Sequence, residues 1–148
     1  MSIIAVIPAR GGSKRILRKN IKIMCGKPLI SWTIEAAINS PSIDKVFVST
    51  DDEEIATISR DWGAEVPFLR PTELAMDYTP GIEPVLHALE KFTEYKQVLL
   101  LQPTSPLRTV EDIEGICQFQ KINNKQCVVS VCRASIKPNL TFQITTEG

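Results

Sequence analysis

Between Pro8 and Asn20 the chain sets Arg10, Lys14, Arg15, Arg18 and Lys19 around two adjacent glycines, Gly11 and Gly12, with Ser13 beside them. Adjacent glycines let backbone N–H groups approach and surround an anion. Arg10 can make forked hydrogen bonds to phosphate, and Lys14 and Lys19 add mobile point charges. The chemistry these residue types suit is phosphate binding. A solvated basic loop is the plainer alternative. The pattern is neither G-x-G-x-x-G nor G-x-x-x-x-G-K-[ST], so it indicates neither a dinucleotide fold nor a Walker-type NTPase.

The charge balance makes this loop stand out. The chain has 17 basic and 17 acidic side chains and a net charge of zero. Seven of the basic residues lie within residues 1–34, where there is no carboxylate. The remainder therefore carries ten basic and 17 acidic groups. A neutral total argues against general nucleic-acid or membrane-surface binding, and a local surplus of +7 asks for a local anion. No apolar run approaches the roughly 18 residues of a membrane span, and the opening Ser2–Pro8 is too short for a signal-peptide core. Cys25, Cys117, Cys127 and Cys132 form no C-x-x-C pair, and the chain has one histidine, so a zinc site is poorly supplied. Buried, reduced thiols of a cytoplasmic protein are expected instead.

Further candidates lie downstream. Asp51 falls at the end of an expected strand, where capping a helix and contacting a nucleotide or metal are both open to it. His87 sits in a helical apolar pattern and reads as a packed side chain rather than a general base. Trp32 and Trp62 read as packing residues.

The segment IPARGGSKRILRKN (7–20) resembles the signature loop of the acylneuraminate cytidylyltransferases, the CMP-acylneuraminate synthetases. LLLQPTSPLR (99–108) and FLRPTELAMD (68–77) are similar to two further motifs of that family, and HALE (87–90) follows in order. These enzymes condense CTP with a nine-carbon 2-keto sugar acid of sialic, legionaminic or pseudaminic type and release pyrophosphate. The resemblance implies a nucleotide site at Ala9, Arg10, Gly11, Gly12, Ser13, Lys14, Lys19 and Asn20. It implies that Arg10 and Lys19 stabilise transition-state charge. It also implies a sugar site at Arg70 and Gln102. A guanidinium suits a sugar carboxylate and a terminal amide suits hydroxyls. Pairing of Arg70 with a nearby acid and strand-end capping by Gln102 are the structural alternatives. The prolines of the 99–108 motif serve to stiffen its loop, and Arg108 is open between substrate and structure. Arg15 stands where many members carry glycine, and Gly81 where some carry a small hydroxyl residue.

Mg²⁺ is the cofactor the resemblance implies. The family's metal-binding aspartate pair has no counterpart here, because Glu114 and Glu147 are the only acidic residues after Asp112. The expectation is therefore a single nucleotidyltransferase domain over residues 1–148 that lacks the family's metal-binding and dimerisation segments. Such a chain would bind CTP weakly and turn over little, and its full-length form would be a homodimer. A non-catalytic nucleotide-binding module and a CMP-Kdo synthetase are the competing readings.

The elements that must position these residues follow from periodicity. Ser2–Ile7 is a continuous apolar run and predicts a buried strand. A loop over 8–28 closes at Gly26–Lys27–Pro28, and Leu29–Ile38 has helical spacing. Lys45–Thr50 predicts a strand, followed by a helix capped at Asp51 and stopped at Gly63. Ala64–Phe68 predicts a weak strand and Pro80–Tyr95 a helix with Ile82, Val85, Leu86, Leu89 and Phe92 on one face. A strand over Gln97–Gln102 and a helix from Thr109 or Val110 to Lys121 come next. Cys127–Cys132 and Leu140–Thr145 predict the last strands. Alternation of this kind implies a three-layer α/β/α fold with a mostly parallel, Rossmann-like sheet of the nucleotide-diphospho-sugar transferase type. In such a sheet the glycine-rich loop lies at the carboxyl end of the first strand, where ligands sit.

Overall fold

The computed structural model describes residues 2–131. Three parallel strands form the sheet: β1 (Ile3–Pro8), β4 (Lys45–Ser49) and β5 (Gln97–Leu100), in the order β4-β1-β5. Register runs Ile4 opposite Lys45 on one side of β1 and Ile3 opposite Gln97 on the other. The chain first moves from β1 to β4, then crosses to the opposite side of β1 to form β5. Strand order thus reverses at β1, and the crevice outside its carboxyl end is the switch point at which parallel sheets bind ligands.

Alternation along β1 divides the core. Ala5 and Ile7 pack with Val46 and Val48 against α1 (Leu29–Ile38), α2 (Glu53–Asp61) and α4 (Val110–Asn123), through Ile30, Ile34, Ile55 and Ile113. Ile4 and Val6 point the other way and pack with Phe47 against α3 (Glu83–Lys91), through Val85, Ala88 and Phe92. A strand buried on both faces reads as an unbroken apolar run, which is what residues 3–7 show. Phe47 is fully buried, with Phe92 edge-on at 5.0 Å and Phe68 at 5.3 Å. Burial of such a ring contributes about 1.5–3 kcal/mol. Helices on both faces of a parallel sheet make the expected α/β/α sandwich.

Helix ends follow the local sequence. Thr109 caps α4 in a reciprocal capping box with Asp112. α2 is capped by Asp52, which accepts from the Ile55 amide at 3.0 Å, and not by Asp51. The turn before α1 lies one residue earlier than expected. Cys25 and Gly26, both at positive φ, join the short strands β2 (Ile23–Met24) and β3 (Lys27–Pro28) in a hairpin.

Other expectations are corrected. The weak strand over 64–68 shrinks to one bridge, Phe47 with Glu65, because Pro67 has no N–H to donate. α3 is shorter than Pro80–Tyr95, starting beside Pro84, and it turns Pro84, Val85, Ala88 and Phe92 inward. Ile82 and Leu86 are exposed as a result. Residues 127–131 form no strand, and Val129 and Val131 are exposed. Position 132 and the segment Leu140–Thr145 lie outside the described residues. Cys25 and Cys127 are exposed rather than buried; Cys117 is half-buried, and burial raises its thiol pKa. No helix among the described residues is long and apolar enough to cross a membrane.

Candidate active site

A cavity of about 660 Å³ opens at the switch point. The β1 loop brings Arg10, Ser13, Lys14, Lys19 and Asn20 to it, the segment after β4 brings Arg70, and the residues after β5 bring Gln102. Seven of the residues expected from sequence thus share one cavity, although they span 92 positions from Arg10 to Gln102. Ala9, Gly11 and Gly12 do not line it. Ala9 is fully buried, and its amide donates to the Ser49 carbonyl at 2.9 Å.

The basic loop is held from behind by the acidic end of β4. The Gly11 amide donates to Asp51 Oδ1 at 3.0 Å, and the Ser13 amide to the Gly11 carbonyl at 2.9 Å. Two of the N–H groups expected to cradle an anion, those of Gly11 and Ser13, are therefore already engaged. A Cβ on Gly11 would lie 2.7 Å from Asp52 Oδ2 and 2.9 Å from Asp52 Cβ, so glycine permits the close approach there. Asn20 is buried, and its Nδ2 donates to the Arg10 carbonyl at 3.0 Å. It therefore orients the backbone that carries Arg10 while also lining the cavity.

Arg18 is diverted from the cavity. In a left-handed backbone conformation (φ 55), it donates Nη1 to Asp52 Oδ2 at 2.5 Å and Nη2 to Asp52 Oδ1 at 3.1 Å, and it also pairs with Glu54. The Arg18 hydrogen bond holds the Asp52 carboxyl below the ordinary carboxylate range, and the Ile55 amide adds to this.

On the cavity side, Arg10 Nη1 lies 2.9 Å from Asp77 Oδ1 and 3.4 Å from the Ala75 carbonyl, and Lys14 pairs with the same Asp77 carboxylate. Lys19 has no ion-pair partner among the described residues. In the same cavity Arg70 is 4% exposed, and its Nε is buried without a hydrogen-bond partner. Asp51 Oδ1 approaches Arg70 Nη2 only to 3.8 Å. Burial lowers the Arg70 pKa, Asp51 opposes that, and Arg10 adds to it. A guanidinium stays protonated in a protein, so the lowered value marks a buried charge incompletely compensated by its surroundings.

Residues outside the cavity serve it indirectly or not at all. Arg108 does not line it; its Nη2 reaches the Gln102 carbonyl at 3.4 Å, and its Nη1 is buried without a partner. His87 packs edge-on against Phe68 at 5.4 Å, as expected of a packing residue, but its Nδ1 is buried without a hydrogen-bond partner, so it is not the satisfied side chain expected. Trp32 donates its indole N–H to the Met24 carbonyl at 3.0 Å, bracing the hairpin. Among the described residues, no three His, Cys, Asp or Glu side chains gather to hold a metal ion. Sequence reasoning assigned no role to Asp77, although it closes the 68–77 motif. The available signal was an acid inside a segment otherwise matched to anion recognition.

A basic loop at the switch point of a parallel sheet, with a buried arginine lining the same cavity, is the arrangement of an α/β protein whose cavity suits an anionic ligand. Residues 4–141 match the family described as cytidylyltransferase. The chain is 44% identical over 152 residues to the CMP-N,N'-diacetyllegionaminic acid synthase of Legionella pneumophila, covering 100% of this chain and 65% of that protein. It is 46% identical over 138 residues to the N-acylneuraminate cytidylyltransferase of Escherichia coli O18:K1:H7, covering 93% of this chain and 32% of that one. Among solved structures, a CMP:2-keto-3-deoxy-manno-octonic acid synthetase complexed with CTP superposes with a TM-score of 0.74 at 25% identity, covering 84% of this chain and 49% of its own. The chain belongs to the cytidylyltransferase family. It spans about a third to two thirds of the length of these relatives.

Proposed function

We propose that this chain carries the nucleotide and sugar-acid sites of a cytidylyltransferase that activates a nonulosonic acid with CTP. One observation carries the proposal. One cavity is lined by Arg10, Lys14 and Lys19, by the buried, under-partnered Arg70 and by Gln102. The cations neutralise a triphosphate, Arg70 pairs with the sugar carboxylate, and the Gln102 amide bonds sugar hydroxyls. Held so, the anomeric 2-hydroxyl attacks the α-phosphorus and pyrophosphate leaves. Positioning and charge neutralisation by preset groups do most of the work in such transfers, with Arg10 and Lys19 facing the charge that develops. The relatives named for legionaminic, acylneuraminic and pseudaminic acids support the substrate class. No step is assigned to a metal ion held by these residues. The proposal includes a homodimer and a single nucleotidyltransferase domain. It also includes a cytoplasmic setting, which the free thiols of Cys25, Cys117 and Cys127 support.

Calorimetric titration tests it. CTP is expected to bind, and N-acetylneuraminic, N,N'-diacetyllegionaminic or pseudaminic acid to bind more tightly once CTP is present, with Kdo weaker. Absence of CTP binding, or sugar acids that bind no better with CTP than without it, would overturn the proposal.

A further inference from the structure

Two of the loop cations that line the cavity, Arg10 and Lys14, are already paired with one carboxylate of the chain itself. Asp77 Oδ1 lies 2.9 Å from Arg10 Nη1, its Oδ2 pairs with Lys14, and the side chain is 43% exposed at the cavity wall. Elsewhere the surrounding segment is held mainly by its own turns. Leu74 N–H donates to the Pro71 carbonyl, Thr79 N–H to the Met76 carbonyl, and the Thr79 hydroxyl to the Glu73 carbonyl. Its polar ties across the cavity are the Asp77 ion pairs and the contact of Arg10 with the Ala75 carbonyl.

We propose that Asp77 is a resident stand-in for phosphate, which occupies the Arg10–Lys14 pair in the free protein and is displaced when a polyphosphate enters. The inference deepens the cytidylyltransferase reading and rests on it. A carboxylate and a phosphate oxygen compete for the same N–H donors, and a triphosphate brings more charge and more acceptors than one carboxylate, so it prevails. In the interim Asp77 holds the ends of two long cationic side chains at one place on the cavity's lining. Displacement also breaks the ion pairs between the basic loop and residues 72–79, which follow Arg70 closely in the chain. Anion binding at the loop is thereby coupled to the segment that follows Arg70.

The test compares the intact chain with its Asp77→Asn variant, which keeps the side chain's size and removes its charge. Inorganic tripolyphosphate and CTP are titrated into each by calorimetry. Two partly exposed ion pairs are each weak, so their loss is expected to tighten binding by roughly three- to tenfold for both ligands. A carbon-detected NMR titration of the Asp77 carboxyl supplies a readout that a merely structural role would not move. The Lys14 and Arg10 contacts hold this carboxyl below its ordinary range in the free protein, and saturating tripolyphosphate is expected to return it upward. Equal or weaker binding by Asp77→Asn, or a carboxyl that stays depressed at saturation, overturns the inference while leaving the cytidylyltransferase reading in place. Failure of both proteins to bind either ligand overturns that reading, and the inference with it.

Discussion

Arg18 and Asp52 meet through both terminal guanidinium nitrogens, Nη1 and Nη2, at 2.5 and 3.1 Å, while the same carboxylate caps α2 through the Ile55 amide at 3.0 Å. One side chain therefore fastens the basic loop to the start of a core helix. The loop's outward cations inherit their placement from this inward one.

Replacing Asp52 by asparagine separates its two tasks. Asparagine caps a helix about as well as aspartate, so the loss is that of the charge-assisted bonds to Arg18, about 1–2 kcal/mol. The sign with pH is definite. Because Arg18 lowers the folded-state pKa of Asp52, its stabilisation is complete above the unfolded value of about 3.9 and is lost as pH falls through the lower folded value. Urea unfolding should show the parent chain more stable than Asp52→Asn at pH 7, with the difference shrinking below about pH 4. A gap that stays constant with pH would contradict the assignment.

The two loop glycines should respond differently to alanine. A methyl at Gly11 meets Asp52 Oδ2 at 2.7 Å and Cβ at 2.9 Å, whereas a methyl at Gly12 meets nothing within 4 Å. Gly11→Ala is expected to cost about 1–3 kcal/mol through overpacking and the displaced Arg18–Asp52 pair, and Gly12→Ala less than about 0.5 kcal/mol. Thermal melts of both variants decide the matter.

Neighbouring cations in the sequence should also part ways. Lys19 lines the cavity, while Arg18 is committed to Asp52 and Glu54. Lys19→Ala is expected to weaken tripolyphosphate binding about tenfold at low salt, and by less as ionic strength rises. Arg18→Ala should instead lower the melting temperature and change that affinity by less than about threefold. Equal effects on affinity would mean that Arg18 reaches the ligand.

Arg70 provides the sharpest functional contrast. Charge-assisted hydrogen bonds to a carboxylate are worth about 1.5–3 kcal/mol, so Arg70→Ala should weaken sugar-acid binding roughly 10- to 100-fold while CTP binding changes little. Arg70→Lys keeps the charge without the planar fork and should fall between. A circular-dichroism melt on each variant checks that the buried site still folds. Parallel losses of CTP and sugar acid would place Arg70 in the nucleotide site instead.

Much of the architecture was legible in residue order. The unbroken apolar run of β1, the spacing of α1 over Leu29–Ile38 and the start of α4 at Thr109 or Val110 depend on residues close in sequence, where steric and hydrogen-bonding preferences act directly. Edges were less legible. The strand expected at 64–68 shrank to one bridge, and α3 turned Ile82 and Leu86 outward, because the packing of neighbouring elements decides those outcomes. The motif residues Arg10, Ser13, Lys14, Lys19, Asn20, Arg70 and Gln102 were named from sequence, and the fold brings them to one cavity.

The sequence by itself determined the basic loop, its place after the first strand and the segments that would face it, since each is written in contiguous residues. Only the tertiary structure decided which charges are free to act. Arg18 is taken by Asp52, 34 positions away, the Gly11 amide by Asp51, 40 positions away, and Arg10 by Asp77 across the cavity. Those partnerships depend on the order and register of β4, β1 and β5. Coulombic and hydrogen-bonding partners are set by distance in space, which the reversal of strand order at β1 imposes and no local pattern encodes.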